Sequence, residues 1–181
     1  DHENGVITGE NGTILVVSGN TWKQLDKSIK DNLYAAQYLN DDIILGGGME
    51  LLNVPIMKMA VKWGYSLTTL FDSNIAVLGL AFTSPENGWV IGSPGVLLHF
   101  DGKNWIKPSF DYRFPSLNHL SFSDENNGFS VGFSGTILAF NDGTWIREES
   151  GTNMHLNGSA IAGVNYYAVG DQGTILVRKQ E

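Results

Sequence analysis

The connection Ser109–Pro115 carries the densest group of side chains suited to binding. It reads Ser-Phe-Asp-Tyr-Arg-Phe-Pro and so combines three aromatic residues with one arginine. Aromatic residues and arginine are enriched at interfaces, because they bring rigid apolar area together with hydrogen-bond donors. A purely structural alternative is that Phe110 and Phe114 fill the space between neighbouring structural units. The predicted ligand-binding residues, with a histidine from a corresponding connection, are Phe110, Tyr112, Arg113, Phe114 and His155.

The other chemically active side chains do not form a metal or nucleophile motif in the sequence. The four histidines, at positions 2, 99, 119 and 155, are too far apart along the chain to pair at metal-binding spacing. The chain has no cysteine, which excludes disulfides, zinc–thiolate sites and cysteine nucleophiles. A phosphate-binding Gly-Lys-Ser/Thr loop does not occur either. The sequence predicts no cofactor, no metal and no enzymatic activity.

Charge and hydropathy narrow the classes of partner. The 181 residues carry a net charge of −8 with only 11 lysines and arginines. Nucleic-acid binding requires clustered basic residues, so we expect no nucleic-acid partner. No apolar run approaches the roughly 18 residues of a spanning helix, so we expect no membrane insertion. A protein or carbohydrate partner is left.

An internal repeat provides the framework that must position these side chains. Trp22, Trp63, Trp105 and Trp145 are separated by 41, 42 and 40 residues. A Gly-x-x-Gly pair recurs with them, and in three repeats its first glycine precedes the tryptophan by 13 residues. We expect each tryptophan to pack between neighbouring repeats. The predicted structural residues, besides the four tryptophans, are Gly9, Gly12, Gly92, Gly95, Gly132, Gly135, Gly170 and Gly173.

Each repeat is predicted to contain four short antiparallel strands. The first is apolar, the second ends at the first glycine of the pair, the third follows the second glycine, and the fourth carries the tryptophan. Asp-Gly dipeptides at 101–102 and 142–143 favour a hairpin between the third and fourth strands. Glycine at both ends of the Gly-x-x-Gly turn is expected to provide positive φ angles. Four-stranded units repeated every 40 residues or so are typical of a β-propeller.

The predicted architecture is a single all-β propeller domain over residues 1–181. It has about five repeats and 18 strands, with the first strand of the first repeat and the last strand of the fifth missing. A five-bladed ring with two incomplete repeats fits this count, and a fragment of a larger ring fits almost as well. An incomplete ring would expose sheet faces and edges and so favour pairing with another chain, such as a homo-oligomer. In the second repeat, the third strand is expected within 50–57, although 55–63 could form a short helix instead. The repeat boundaries are approximately 1–31, 32–74, 75–115, 116–156 and 157–181.

The segment Leu120–Trp145, which reads LSFSDENNGFSVGFSGTILAFNDGTW, resembles the repeat of the photosystem II stability and assembly factor family. It is also similar to the bacterial-neuraminidase, or Asp-box, repeats of sialidases and to the repeats of exported bacterial proteins. The resemblance implies a propeller in an exported bacterial protein, located outside the cell or in the periplasm after loss of a targeting segment. It covers 1–25, 75–108 and 117–148 best.

The favoured function is a non-catalytic binding or scaffold propeller that engages protein or glycan. One alternative is an Asp-box glycoside hydrolase. The resemblance implies that such an enzyme needs an arginine triad, and the chain has three arginines, Arg113, Arg147 and Arg178. The other alternative is an assembly factor for a membrane protein complex.

Overall fold

The computed structural model describes residues 4–25, 29–40, 42–47, 56–60, 66–71, 76–110 and 112–179. These residues form 18 strands in five small sheets, and within each sheet every strand neighbours the next one in sequence. Three single turns of 3-10 helix, at Glu10–Gly12, Phe133–Gly135 and Asp171–Gly173, are the helical elements of the described chain. The predicted all-β fold of about five repeats is confirmed.

The first and fifth sheets have three strands and the other three have four. The first contains β1 (Asn4–Thr8), β2 (Ile14–Ser18) and β3 (Thr21–Gln24), and the second β4 (Leu33–Leu39), β5 (Asp42–Gly47), β6 (Ile56–Ala60) and β7 (Ser66–Phe71). The third contains β8 (Ala76–Ser84), β9 (Asn87–Ser93), β10 (Val96–Phe100) and β11 (Trp105–Ile106). The fourth contains β12 (Leu117–Phe122), β13 (Asn127–Gly132), β14 (Ile137–Asn141) and β15 (Thr144–Glu148), and the fifth β16 (Leu156–Ala162), β17 (Asn165–Gly170) and β18 (Ile175–Lys179).

The chain divides by its internal contacts into two compact units, Asp1–Leu80 and Ala81–Glu181. In the first unit, Ile14 of the first sheet packs in one core with Leu33 and Leu45 of the second. In the second unit, one core joins the third and fourth sheets through Trp89, Leu97 and Leu138. Another core joins the fourth and fifth sheets, through residues that include Phe129 and Leu156. The prediction of a single domain stays a prediction.

The position of a strand within its sheet explains its sequence pattern. Second strands such as β13 lie between two others, and residues 128–132 are buried without alternation. Such strands read as continuous runs of small and apolar residues, because both of their faces are covered. In the third strand β14, burial alternates between Leu138 and Phe140, as expected where one face meets the neighbouring sheet more closely.

The two glycines of the Gly-x-x-Gly turn have different roles. The prediction that both supply positive φ is wrong for the first, because Gly132 is extended, with φ −167°. A side chain there would collide with the backbone of Ser116 and Leu117. Positive φ belongs to Ser134 and Gly135, with φ 53° and 68°. The first glycine therefore permits close approach to the first strand, and only the second permits the left-handed turn.

The second sheet departs from the sequence prediction in its third strand. That strand, β6, is Ile56–Ala60, so the expected strand within 50–57 is shifted and a helix over 55–63 is ruled out where the chain is described. The fourth strand, β7, begins at Ser66. Trp63, predicted to be a structural residue of this repeat, lies outside the described residues.

The remaining tryptophans differ in their burial. Trp145 is 8% exposed and meets Trp89 of the preceding sheet edge to face, with ring centroids 5.2 Å apart. Trp105 is half-buried and contacts Phe82 and Phe100 within its own sheet. Trp22 is 56% exposed, so it does not pack between neighbouring sheets as expected. Trp89 covers Trp145. Among the described residues, no residue that corresponds to Trp89 packs on Trp22 of the first sheet.

Candidate functional site

The predicted loop residues form a compact aromatic group between β11 and β12. Phe110 and Phe114 meet edge to face with ring centroids 4.9 Å apart, and Tyr112 lies 5.7 Å from Phe110 and 6.4 Å from Phe114. All three rings pack against the core that joins the third and fourth sheets. The half-buried rings therefore close this core, as the structural alternative expects. Ligand binding by the loop stays a prediction.

A groove of about 680 Å³ runs along this aromatic group. Its walls are the turn Pro94–Gly95, the connection from Lys107 to Ser116, and Phe133 from the turn after β13. Gly95 has φ +56°, and a side chain at that position would come within 2.7 Å of the Phe114 carbonyl oxygen. The glycine of the third repeat thus allows its turn to lie directly against the aromatic connection. A volume between about 300 and 1,000 Å³ is usual for ligand sites.

Phe133 joins the predicted residue His155 to this groove. Phe133 is 43% exposed, and its ring stacks on the His155 imidazole with centroids 4.5 Å apart. The Ser134 backbone N–H donates to Nδ1 of His155 at 3.0 Å, so Nδ1 accepts and a neutral ring carries its proton on Nε2. The predicted residue His155 therefore contacts Phe133 but does not itself line the groove.

Phe133 was missed by sequence reasoning, although a signal was present. The residue after the first glycine of the turn is Glu10, Ser93 or Asp171 in the other repeats, and only the fourth repeat has an aromatic residue there. The signal is this departure from the other repeats, because a single exposed apolar residue is by itself ordinary. Comparison of the repeats position by position would have identified it.

The charged groups described along the groove are Lys107 and Arg113, and both are exposed. Asp111 lies outside the described residues. The Tyr112 hydroxyl is buried without a well-formed hydrogen bond in the described part of the chain. Burial raises the pKa of Tyr112, while the charge and backbone of Arg147 oppose that rise without cancelling it. The tyrosine hydroxyl therefore stays protonated at neutral pH.

A second polar cluster lies between the first strands of the fourth and fifth sheets. The Ser159 backbone N–H donates to His119 Nδ1 at 3.2 Å, and the Ser159 hydroxyl lies 2.8 Å from the same nitrogen. The hydroxyls of Ser121 and Ser159 are 3.0 Å apart. Burial lowers the pKa of His119 even though the residue as a whole is exposed, because its ring is packed against β16. Because the Ser159 backbone N–H donates to Nδ1, that nitrogen accepts and the bond requires a neutral ring. This cluster therefore ties the first strands of the two sheets together.

Residues 128–132 have the pattern Gly-x-Ser-x-Gly, so the sequence prediction that this nucleophile motif is absent is wrong. In hydrolases this pattern places a serine on a sharp turn between a strand and a helix. Here it lies within β13, where Ser130 is fully buried and donates to the His119 carbonyl oxygen at 2.9 Å. Ser130 therefore has the geometry of a core residue and not of an exposed nucleophile.

The three arginines occupy different elements. Arg113 lies in the groove, Arg147 is exposed on β15, and Arg178 on β18 pairs with Glu148 at 2.9 Å. Over the described ranges, no group of three or more histidine, aspartate and glutamate side chains is suited to hold a metal ion. In the same ranges, no helix has the length and apolar character needed to span a membrane.

Comparison with known proteins defines the class of fold. No family model and no curated protein matches the chain. Among solved structures, it is similar to the computationally designed Ika8 protein, with TM-score 0.75, 16% identity, 98% of this chain and 56% of the Ika8 chain covered. It is also similar to the designed Ika4 protein, with TM-score 0.64, 17% identity, and 81% and 90% of the two chains covered.

A third similar structure is that of YCF48 bound to D1 peptide, with TM-score 0.68, 13% identity, 100% of this chain and 62% of that chain covered. The chain thus spans 56% of the Ika8 chain and 62% of the YCF48 chain. Identities this low establish the fold alone. The fold is that of a β-propeller, built here from five small sheets.

Proposed function

We propose that this chain is a non-catalytic binding propeller whose groove takes a short extended segment of a protein partner. The observation that carries the proposal is the groove itself. It combines a rigid cluster of three aromatic rings, the exposed Phe133 and two exposed cations. Preorganised aromatic anchors reduce the entropy lost on binding, so a groove of this kind favours an apolar side chain in its partner.

The charges favour a partner of acidic character. Lys107 and Arg113 lie in the groove of a chain whose overall charge is −8, so they form a local positive patch on an acidic molecule. A carboxylate beside an apolar anchor would be attracted to them, and the long-range repulsion of the remaining surface would disfavour other docking positions. The peptide bound in the YCF48 structure makes peptides the first class to test.

The experiment is a selection from a phage-displayed library of random linear peptides, run beside a glycan array. We expect peptides that combine an aromatic or aliphatic residue with aspartate or glutamate. The double charge reversal Lys107→Glu with Arg113→Glu should weaken the selected peptides at least tenfold, about 1.4 kcal/mol. Lys103→Glu makes one of the same charge changes at an exposed residue outside the groove and is the matched control.

Phe133→Ser tests the apolar half of the site and restores the residue found at the aligned position 93. It should weaken peptide binding while thermal stability stays within a few degrees, because the side chain is already 43% exposed. Selected peptides that bind these variants as tightly as the parent chain would refute the groove as their site. Specific binding on the glycan array alone would replace protein by carbohydrate as the partner.

The proposed cellular location rests on the sequence alone. We infer export from a bacterial cell from the resemblance to exported repeat proteins. A peptide-binding groove would serve a scaffold or an assembly factor equally well, because both hold a segment of another protein.

A further inference from the structure

A second opening lies between the third and fourth sheets, at the end opposite the Gly-x-x-Gly turns. It has a volume of about 410 Å³, and we call it the His99 cleft. His99 of β10 and Ile106 of β11 line one wall, and Phe140 of β14 lies on the other with the turn residues Glu125 and Asn126. Ligand sites usually have volumes of about 300 to 1,000 Å³, so the cleft can take a side chain of a partner.

The hydrogen bonds around His99 leave one of its nitrogens free to accept. Asn87 donates through Nδ2 to the Thr83 hydroxyl at 2.7 Å, and its Oδ1 accepts from His99 Nε2 at 2.6 Å. Burial lowers the pKa of His99, although the charge of Asp101 opposes that shift, so the ring is neutral at neutral pH. A neutral ring protonated on Nε2 has its lone pair on Nδ1, and no described residue donates to that atom. His99 therefore brings an acceptor without a donor to the wall of the cleft.

The His99 imidazole is held in place and departs from the other repeats. Trp89 pairs with His99 across the strands and stacks on its ring, with centroids 4.3 Å apart. A ring fixed by a stack and a hydrogen bond loses little further entropy when a ligand binds. At the corresponding position, the first, fourth and fifth repeats have the apolar residues Val16, Ala139 and Val177. The third repeat thus has a preorganised polar group where the other three have an apolar one.

The turns at this end of the two sheets make the mouth of the cleft acidic. The hairpin turns of the third and fourth sheets contain one basic residue, Lys103, and five acidic ones, Glu86, Asp101, Asp124, Glu125 and Asp142. Backbone N–H groups of their own turns lower the pKa of Asp101 and Asp124, so both stay ionised at neutral pH. Of the described residues that line the cleft, Glu125 is the charged one, and it makes no ion pair within the described ranges. The cleft therefore attracts a cation and repels an anion.

An arginine side chain matches these groups better than other cations do. Its guanidinium has five N–H donors and no acceptor, and its planar fork suits a carboxylate. One donor can serve His99 Nδ1 while others serve the Glu125 carboxylate, because both residues line the same cleft. The aliphatic stem would lie along Pro108 and Ile106, whose side chain is 46% exposed. A lysine ammonium carries the same charge but lacks the planar fork.

From these observations we propose that the His99 cleft binds an arginine side chain of a partner protein. The side chain donates hydrogen bonds to His99 Nδ1 and to Glu125, and the acidic turns attract its positive charge. This site is separate from the aromatic groove, where Lys107 and Arg113 favour acidic segments. It uses no residue of the Phe110–Phe114 group, so it holds whether or not peptides bind in that groove.

The test compares N-acetyl-L-arginine methylamide with the matching derivative of citrulline, whose neutral urea group has nearly the shape of a guanidinium. In an NMR titration of the isotope-labelled chain, the arginine probe should bind at least tenfold more tightly, about 1.4 kcal/mol. Its chemical-shift changes should centre on the His99 imidazole and on Glu125 and Asn126. The corresponding lysine probe should bind more weakly than the arginine probe, because an ammonium cannot form the two parallel bonds to a carboxylate.

Two variants remove the proposed contacts. Glu125→Gln should weaken binding of the arginine probe about threefold, as expected of an exposed ion pair. Glu149→Gln makes the same change at an exposed residue outside the cleft and should have no effect. His99→Ala introduces the residue found at the aligned position 139 and should weaken the probe by a larger factor. If His99→Ala does not fold, the Glu125 variant and the two probes still decide.

The outcomes separate this site from the aromatic groove. Equal binding of the arginine and citrulline probes would overturn the site, and so would equal binding by Glu125→Gln and the parent chain. A lysine probe that binds as tightly as the arginine probe would overturn the assignment to a guanidinium. Phe133→Ser, which alters the aromatic groove, should leave binding of the arginine probe unchanged, so either proposal can fail alone. Loss of arginine binding in that variant would place the probe in the groove and contradict the His99 cleft.

Discussion

The fourth and fifth sheets start from nearly the same sequence and end in different environments. Their turns agree closely, since Ser134 has φ 53° and ψ 41° and Gln172 has φ 56° and ψ 30°. Yet Leu138 of the fourth sheet is fully buried, whereas Leu176 at the equivalent place is only half-buried. Ile175, two residues after Gly173, is 69% exposed.

This difference separates what a repeat encodes locally from what it obtains from its neighbours. The dihedral angles of the turn follow from glycine and its flanking residues, so they recur wherever the motif occurs. The third strand is buried only where a fourth strand with its tryptophan lies beside it. Of these two sheets, only the fourth sheet has such a strand among the described residues. The sequence Gly-Thr-Ile-Leu, at 135–138 and 173–176, therefore leads into a buried strand in the fourth sheet and an exposed edge strand in the fifth.

The largest expected contrast lies in the second glycine of the turn. Gly135→Ala combines a positive φ of 68° with a collision against the Thr152 backbone, and we expect a loss of about 4 kcal/mol in the free energy of unfolding. Gly173→Ala has φ 73° but no neighbour within 4 Å, so only the backbone strain of about 1 kcal/mol remains. Urea unfolding of both variants measures this difference, and equal losses in the free energy of unfolding would contradict the prediction.

The next contrast concerns the leucines that follow these glycines. Leu138→Ala empties a fully buried site and should cost about 3 kcal/mol. Leu176→Ala removes a half-buried side chain and should cost about 1 kcal/mol, because water already reaches part of it. The same unfolding experiment serves both variants. A Leu176 variant as unstable as the Leu138 variant would mean that the fifth sheet is covered in solution.

A third prediction concerns the hydrogen bonds that join these two sheets. Burial lowers the pKa of His119 below its ordinary 6.5, so the unfolded chain binds the proton more readily. Stability should therefore fall as the pH drops from about 6.5 through the folded pKa. His119→Asn should remove this part of the pH dependence while leaving that of His99, whose pKa burial also lowers. An NMR titration in which His119 protonates at or above 6.5 would contradict the expectation.

The smallest effect is expected from the ion pair between β15 and β18. Arg178 and Glu148 have 51% and 29% of their side chains exposed, so solvent screens the pair. A double-mutant cycle with Arg178→Ala and Glu148→Ala should give a coupling of about 0.5 kcal/mol that decreases in high salt. A coupling energy of several kcal/mol would show that the Arg178–Glu148 ion pair is shielded from water.

The parts of this fold that depend on local chemistry could be predicted from the sequence. The strand order and the positions of the fourth sheet followed from the Gly-x-x-Gly and Asp-Gly turns. The prediction failed in the second sheet, where the third strand is Ile56–Ala60 although the sequence pattern placed it within 50–57. It also failed for Trp22, whose exposure depends on which residues lie in front of it, a property that no local pattern contains.

The candidate site was only partly accessible to prediction, for the same reason. The aromatic residues between 110 and 114 are adjacent in sequence and could be found together. Their association with Phe133 and His155 joins two separate connections of the chain and depends on how the turns pack. The cavity of about 210 Å³ lined by Phe129, Ala168 and Arg178 is a space between the fourth and fifth sheets, and the sequence specifies its walls only once the register of the strands is known.

The binding function can be tested by NMR chemical-shift mapping of a selected acidic peptide on the isotope-labelled chain. We expect shifts concentrated on Phe110 to Ser116, on Pro94 and Gly95, and on Phe133 with His155. Little change is expected at the polar cluster of His119 and Ser159. Shifts centred on that cluster, with the groove unaffected, would show that this propeller does not bind its partner in the aromatic groove.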